Sequence, residues 1–242
     1  MRLTVIGCSP AWSNPGQPHA GLLVEGPGRV LLDCGPGVLA ALRERAGGGW
    51  PALDAIVLSH LHLDHCADVI GWLWGAVAGT ARGLPLPELW VAERQRPALG
   101  ALGAALGDFG MLERTFAIRT YPAGVPFRVA GFDALALEVA HYTMPTCAVR
   151  LSDGAASLAY SADTGPCDAL AAVARDAGLL VCEATLPDGH DEGELRGHLS
   201  AVEAVAAFRA SSARRLLLTH RPVELPPPDG VQVATPGLVV EV

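Results

Sequence analysis

The ten-residue stretch SHLHLDHCAD, residues 59–68, constrains this chain more than any other part of its sequence. It holds three of the chain's eight histidines together with two aspartates, and it follows the apolar run Ala55-Ile56-Val57-Leu58 directly. Such a run predicts a buried β-strand, over residues 55–59, that ends where the polar side chains begin. The fold must therefore gather these histidines and carboxylates in a loop at the edge of a sheet.

The pattern H-x-H-x-D-H within this stretch is typical of a metal site. Imidazole nitrogens and carboxylate oxygens bind Zn²⁺, and a carboxylate widens the choice to Mn²⁺ or Fe. Because alternate residues of an extended chain point the same way, His60 and His62 can share one metal ion. Asp64 and His65 then turn towards a second ion. Four ligand-type residues within six positions argue against histidines that merely pack or face solvent.

Three more residues repeat the arrangement of an apolar run followed by a candidate ligand. His141 ends the run ALALEVA, Asp163 follows SLAYSA, and His220 ends RRLLLT. Ligands at the ends of separate strands can converge on one edge of a sheet, so we predict that these three join the histidine cluster. His19 and His190 lie in polar or Gly/Pro-rich segments, and we predict that both are surface residues.

The rest of the chain reads as alternating strands and helices, which predicts an α/β protein with largely buried sheets in a single domain, residues 1–242. The capping-box spacing of Ser200 and Glu203 marks the clearest helix start. The predicted strands are 3–6, 21–25, 30–33, 55–59, 89–92, 116–120, 134–140, 147–151, 157–161, 179–183, 216–219 and 238–242. The predicted helices are 37–46, 67–80, 94–106, 167–177 and 201–212.

Composition limits the partners and the location of the protein. The net charge is −8, and no basic run exceeds Arg214-Arg215, so the sequence lacks the cationic track that a long nucleic acid requires. No apolar stretch approaches the ~20 residues of a membrane span, and the N-terminus lacks the apolar core of a signal peptide. We therefore expect a cytoplasmic protein, with no membrane association, whose six cysteines are buried free thiols.

Taken together, these motifs resemble the metallo-β-lactamase superfamily of binuclear hydrolases. The resemblance runs nearly end to end and includes LLDCGPG (31–37), which looks like the family's early Asp motif. The segments AYSADTG, LLVCEAT, GHLSAVEAV and RRLLLTH are similar to the ribonuclease Z-like phosphodiesterase branch.

The resemblance implies a four-layer αββα sandwich with two divalent metal ions, zinc foremost, at the sheet edges. Asp33 would support the histidine loop, and Asp64 would also orient the attacking water. His198 would face the scissile phosphate and protonate the leaving group, with Glu183 orienting it. His60, His62 and His141 would bind one metal ion, and Asp64, His65 and His220 the second, with Asp163 bridging.

The chain also departs from ribonuclease Z. Members of that group commonly insert a tRNA-gripping arm of tens of residues between the positions of His141 and Asp163, where this chain has only residues 142–162. In addition, the family's DCGEG reads DCGPG here, and its HGDH reads HLDH. With the arm absent and an acidic net charge, we expect a small anionic substrate rather than tRNA.

Three functions stay open at this point. The leading one is a phosphodiesterase on small or cyclic nucleotides. The second is an acyl hydrolase (a lactonase, thioesterase or β-lactamase-like enzyme) that uses the same activated water on a carbonyl carbon. The third is a metal-binding module without catalysis. The sequence likewise leaves open whether the protein forms a homodimer.

Overall fold

The computed structural model describes residues 1–106, 110–190, 193 and 195–242. Its strands are β1 (Arg2–Gly7), β2 (Gly21–Glu25), β3 (Arg29–Leu32), β4 (Ala55–Val57), β5 (Glu88–Ala92), β6 (Ile118–Tyr121), β7 (Phe127–Val129), β8 (Phe132–Val139), β9 (Thr146–Ser152), β10 (Ser157–Tyr160), β11 (Leu179–Glu183), β12 (Leu216–Thr219), β13 (Gln232–Val233) and β14 (Val239–Glu241). Its α-helices are α1 (Val38–Arg45), α2 (Leu63–Cys66), α3 (Val69–Val77), α4 (Arg96–Ala105), α5 (Met111–Thr115), α6 (Asp168–Val173) and α7 (Ala201–Ser211), with a 3₁₀ turn at Glu93–Gln95.

The strands of the described ranges form two mixed sheets of seven strands each. The first has the order β14-β1-β2-β3-β4-β5-β6, and the second β13-β12-β11-β10-β9-β8-β7. Each sheet is antiparallel at one side and parallel at the other. Because β9 pairs antiparallel with both β8 and β10, the strands β8, β10, β11 and β12 all run in one direction. Their carboxyl ends therefore meet at the same edge.

The side-chain alternation of the strands builds the layers. In β3, Val30 and Leu32 face the core shared by the two sheets, whereas Leu31 faces the core beneath α1, α3 and α4. In β11, Val181 faces the shared core, and Leu180 faces the core beneath α6 and α7. Apolar residues on both faces of a strand identify a sheet that is covered on both sides. The predicted αββα sandwich is thus confirmed.

Every predicted strand is present, with bounds shifted by at most two residues. The short elements β7, β13 and α5 were not predicted from the sequence. Strand β4 ends at Val57 rather than at Ser59. The Ser59 amide donates to Asp33 Oδ1 (2.7 Å) and not to a backbone carbonyl of a neighbouring strand. The helix predicted over 67–80 corresponds to α3, with the narrower bounds 69–77. A separate short helix that the sequence did not predict, α2, lies before it and begins within the histidine motif.

Other sequence expectations can be compared with the structure directly. The capping box is present: Ser200 Oγ accepts from the Glu203 amide, and the Glu203 carboxylate accepts from the Ser200 amide. The six cysteines are free, and all are buried except the half-buried Cys167. Within the described ranges, no helix combines the length and the apolar character that a membrane crossing would require.

Candidate metal centre

The strand directions bring the predicted ligands to one edge of the sandwich. His141, Asp163 and His220 follow β8, β10 and β12, whose carboxyl ends meet there. The histidine motif enters from the other sheet, in the loop after β4 and in helix α2. The seven candidate ligands form two groups, and the ligand atoms within each group lie within 4.8 Å of one another. These groups are His60, His62 and His141, and Asp64, His65, Asp163 and His220.

The first group consists of three imidazoles with their nitrogens facing each other. His62 Nδ1 lies 3.2 Å from His60 Nε2 and 2.9 Å from His141 Nε2. His60 and His141 are buried, and His62 is half-buried. The structure thus brings His60 and His62 together, although a loop rather than strand alternation does so.

The second group mixes imidazoles and carboxylates. His220 Nε2 lies 3.1 Å from Asp64 Oδ2 and 3.4 Å from His65 Nε2. The same Asp64 oxygen lies 3.3 Å from His65 Nε2. All four members are buried, and the ligand atoms of Asp64 and His65 lie around His220 Nε2, in a group separate from His62.

Asp163 lies between the two groups. Its Oδ1 is 3.2 Å from His65 Nε2, and its Oδ2 is 3.6 Å from His220 Nε2. On the other side, Oδ2 is 3.9 Å from the Nε2 atoms of both His60 and His141. One carboxylate therefore faces both groups at once.

Hydrogen bonds on the outer side of the rings orient the histidines of the motif. Asp33 Oδ2 accepts from His65 Nδ1 (2.7 Å), from Ser59 Oγ (2.8 Å) and from the Tyr160 hydroxyl (2.9 Å). Since the Ser59 proton goes to Asp33, Ser59 Oγ can accept from His60 Nδ1 at 3.1 Å. These bonds place the ring protons on Nδ1 and leave the Nε2 lone pairs facing the centre.

The same arrangement holds for the two histidines of the second sheet. His141 Nδ1 donates to the Gly197 carbonyl at 2.8 Å, and His220 Nδ1 lies 2.9 Å from Thr185 Oγ1. Their Nε2 atoms therefore also present lone pairs to the centre. His220 is held with a backbone φ of 53°, an uncommon left-handed conformation for a non-glycine residue.

Burial and charge oppose each other in this site. Burial lowers the pKa of His60 well below its ordinary value, and it likewise lowers the pKa of His62 and His141, so these rings are neutral at pH 7. Burial also disfavours charge on His65, but the carboxylates of Asp163 and Asp33 outweigh it and raise that pKa well above the ordinary value. The second group therefore attracts positive charge.

Two observations show that this donor set fits divalent metal ions. Imidazole lone pairs face one another at about hydrogen-bond distance, an arrangement that repels unless a cation lies between them. In addition, Asp163 Oδ1 is buried but accepts no hydrogen bond from the described residues, which is costly for a carboxylate oxygen. The neutral imidazoles of the first group and the ionised carboxylates of the second are ligand forms that metal binding requires, and a bound cation would replace the proton that the carboxylates draw to His65.

A second buried network lies beside the ligands. Glu183 Oε1 accepts from His198 Nδ1 (2.9 Å) and from the Thr164 amide (2.9 Å). Glu183 Oε2 accepts from Thr185 Oγ1 (2.7 Å), the hydroxyl that also meets His220. The His198 ring stacks on the His220 ring at 5.7 Å between centroids. The structure thus brings both predicted residues, His198 and Glu183, to the rim of the centre.

The structure corrects one expectation and adds residues that the sequence did not reveal. His19 is not a surface residue: it is only 7% exposed, and its Nε2 lies 2.8 Å from Ser13 Oγ. The reason is that its loop folds inward, since the Ala20 amide donates to the Asp64 carbonyl. His190 is exposed, as predicted. Thr185 was missed, although its position in CEAT, two residues after Glu183, was a usable signal.

Comparison with known proteins places this site in a wider group. A family model described as the beta-lactamase superfamily domain matches residues 28–221. The uncharacterized protein ML1173 of Mycobacterium leprae is 36% identical over 227 residues, which span 92% of this chain and 78% of that protein. A ribonuclease Z of Mycolicibacterium paratuberculosis is 30% identical over 242 residues, with coverage of 91% and 85%.

One relative is similar in both sequence and structure. The probable metallo-hydrolase YhfI of Bacillus subtilis is 32% identical over 230 residues, covering 92% of this chain and 87% of that protein. The crystal structure of YhfI, a metallo-β-lactamase fold protein, superposes with a TM-score of 0.81 and 25% identity over 99% of this chain and 98% of that one.

Proposed function

The chain belongs to the metallo-β-lactamase superfamily of hydrolases, and we propose that it is a phosphodiesterase acting on small or cyclic nucleotide diesters. The observation that carries the proposal is the position of His198. Its ring lies 5.0 Å from the His141 ring and 5.7 Å from the His220 ring, between centroids, so it borders both groups of candidate ligands. A proton donor at this position suits a substrate whose leaving group departs as an alkoxide.

We assign two divalent metal ions, zinc foremost because the donor set is rich in imidazole. Bound together, such ions make water available as a nucleophile near neutral pH and polarise a phosphoryl oxygen. The first ion would be held by His60, His62 and His141, and the second by Asp64, His65 and His220, with Asp163 bridging.

The chain's own residues then handle the protons. Asp64, a carboxylate at the mouth of the second group, accepts a hydrogen bond from the attacking water and so orients it. His198 holds its Nδ1 proton against Glu183 Oε1, which leaves Nε2 as the atom that gives a proton to the departing oxygen. Glu183 is fully buried and stabilises the protonated form of that ring, as the carboxylate of a catalytic triad does.

The segment between His141 and Asp163 supports a small substrate. It is a compact hairpin in which β9 pairs with β10, from Ser157 opposite Ser152 to Tyr160 opposite Val149. Nothing in residues 142–162 extends away from the sheet as a nucleic-acid-gripping arm would. The acidic net charge of −8 argues in the same direction, because phosphate contacts along an RNA require a cationic surface.

A substrate panel tests the proposal. Metal-loaded protein is assayed at one concentration with cyclic nucleotides, a bis-aryl phosphate, a homoserine lactone, a thioester and a β-lactam. We expect turnover of the phosphodiesters. Efficient hydrolysis of a carbonyl substrate, with none of the diesters, would replace the proposal with the acyl-hydrolase alternative.

The variant His198→Ala separates the two chemistries further. A positioned general acid contributes roughly 10²–10⁴-fold, so a diester with an alkoxide leaving group should lose about that much. An activated aryl diester needs little protonation on departure and should lose far less. His190→Ala, at an exposed histidine, is the matched control. Equal losses on both diesters, or loss of metal from the variant, would contradict the role given to His198.

A further inference from the structure

The aromatic ring of Tyr142 stands at the corner formed by His141 and His198. Its centroid lies 5.0 Å from the His141 ring and 5.7 Å from the His198 ring, and it meets the latter edge-to-face at 77°. Tyr142 is 43% exposed, whereas His141 is 2% and His198 is 9% exposed. The tyrosine ring is therefore the part of this corner that a molecule approaching from solvent meets.

The absence of a side chain at Gly197 lets the ring lie where it does. A Cβ atom at Gly197 would come within 2.2 Å of Tyr142 Cε2 and Cζ, closer than any real contact. The ring thus packs directly on the backbone that carries His198.

The backbone at Tyr142 is held in an uncommon conformation. Its φ is 48°, in the left-handed region that aromatic residues rarely adopt. The Tyr142 amide donates to the Arg196 carbonyl at 3.2 Å, and the Gly197 carbonyl accepts from His141 Nδ1 at 2.8 Å. These bonds tie the loop after β8 to the segment 195–198. Conformations of this kind persist where the surroundings enforce them, often at ligand sites.

We propose that Tyr142 is a specificity-determining residue that stacks on the base of a nucleotide whose phosphate is held at the metal centre. This inference rests on the proposed function, because it takes His198 as the group that meets the leaving alkoxide. A nucleoside attached to that oxygen extends outward past His198. The exposed ring of Tyr142 is the aromatic surface that it meets there.

The chemistry of the ring sets the expected effect. Stacking of a base on an aromatic side chain contributes roughly 1–3 kcal/mol by alanine substitution, which corresponds to about 5- to 150-fold in affinity or kcat/KM. Stacking needs the ring and not the phenolic hydroxyl, so phenylalanine should replace tyrosine with little loss. Stacking also needs the base, so the kcat/KM for a diester without a base should not change with the substitution.

Kinetics with a matched pair of substrates test the proposal. Adenosine 3′,5′-cyclic monophosphate and the corresponding cyclic ribose phosphate without a base are hydrolysed by wild type, Tyr142→Leu and Tyr142→Phe. We expect Tyr142→Leu to lose about tenfold in kcat/KM on the nucleotide only, and Tyr142→Phe to behave like wild type. Trp74→Leu, which removes an exposed aromatic residue from α3, is the control. Equal losses on both substrates, or an equal loss in Tyr142→Phe, would overturn the inference.

A binding experiment separates failure of this inference from failure of the proposed function. Calorimetry compares adenosine 5′-monophosphate with ribose 5-phosphate on the metal-loaded protein, and no turnover is required. We expect the nucleotide to bind about tenfold more tightly, with that preference lost in Tyr142→Leu and kept in Tyr142→Phe. A wild type without any preference, or a preference that survives in Tyr142→Leu, would overturn it. Thermal unfolding and metal content of each variant verify that the fold is intact.

Discussion

The variant Thr185→Val should weaken metal binding without touching a candidate ligand. The Thr185 hydroxyl lies 2.7 Å from Glu183 Oε2 and 2.9 Å from His220 Nδ1, and the residue is buried. With its single proton donated to Glu183, the hydroxyl oxygen accepts from His220. Valine keeps the shape of the side chain but removes both interactions.

The magnitude follows from the partners that remain. Glu183 keeps the bonds from His198, from the Thr164 amide and from the Thr185 amide, so its loss is a single charge-assisted bond, about 1.5–3 kcal/mol. His220 Nδ1 is left as a buried donor without this acceptor, which costs about 1–3 kcal/mol. Together these give an expected loss of about 2.5–6 kcal/mol in the free energy of unfolding, or about 5–24 °C in the unfolding midpoint.

The more specific consequence concerns the metal. Partners that orient ligating histidines typically contribute 10–100-fold to metal affinity, so zinc should bind Thr185→Val that much more weakly. Competition with a chromophoric chelator measures this affinity, and thermal unfolding measures stability. Thr185→Ser keeps the hydroxyl and should retain the affinity of wild type. A Thr185→Val protein that binds zinc as tightly as wild type would refute the reasoning.

Further predictions concern the centre and its substrate. Asp163→Ala should retain less metal than any variant of a ligand in one group alone, because its carboxylate faces both groups; elemental analysis after gel filtration measures this. Asp33→Asn should lower the unfolding free energy by at least ~2 kcal/mol, because an amide nitrogen then faces buried donors; chemical denaturation measures this. An Asp33→Asn variant as stable as wild type would contradict this prediction. Precursor tRNA should be cut poorly at physiological salt; site-specific cleavage as efficient as that of small diesters would contradict the size argument.

The sequence predicted the gathering of the ligands because chain direction determines it. His141, Asp163 and His220 each follow an apolar run, and strands that run in the same direction end at the same edge. That logic requires only the order of apolar and polar residues, and it needs no side-chain conformations. The resemblance to the superfamily added the pairing of His198 with Glu183, which the structure places 2.9 Å apart.

Loops and long-range contacts determine what the sequence could not predict. His19 is buried because the Gly/Pro-rich loop around it folds onto the Asp64 backbone, through a hydrogen bond between residues 44 positions apart. The Tyr142 ring can occupy its position because Gly197, more than fifty residues away in the sequence, has no side chain there. Short elements such as β7 are stabilised by pairing with β8 rather than by their own sequence. Such features depend on tertiary contacts, which periodicity does not encode.

The most direct test is a metal titration of activity. Protein freed of metal by a chelator is assayed with a cyclic nucleotide while zinc is added in measured equivalents. The account predicts no turnover without metal and a rise to a plateau at about two equivalents, one for each group of ligands. Full diesterase activity in the metal-free protein, or none at any zinc concentration while both equivalents bind, would contradict it.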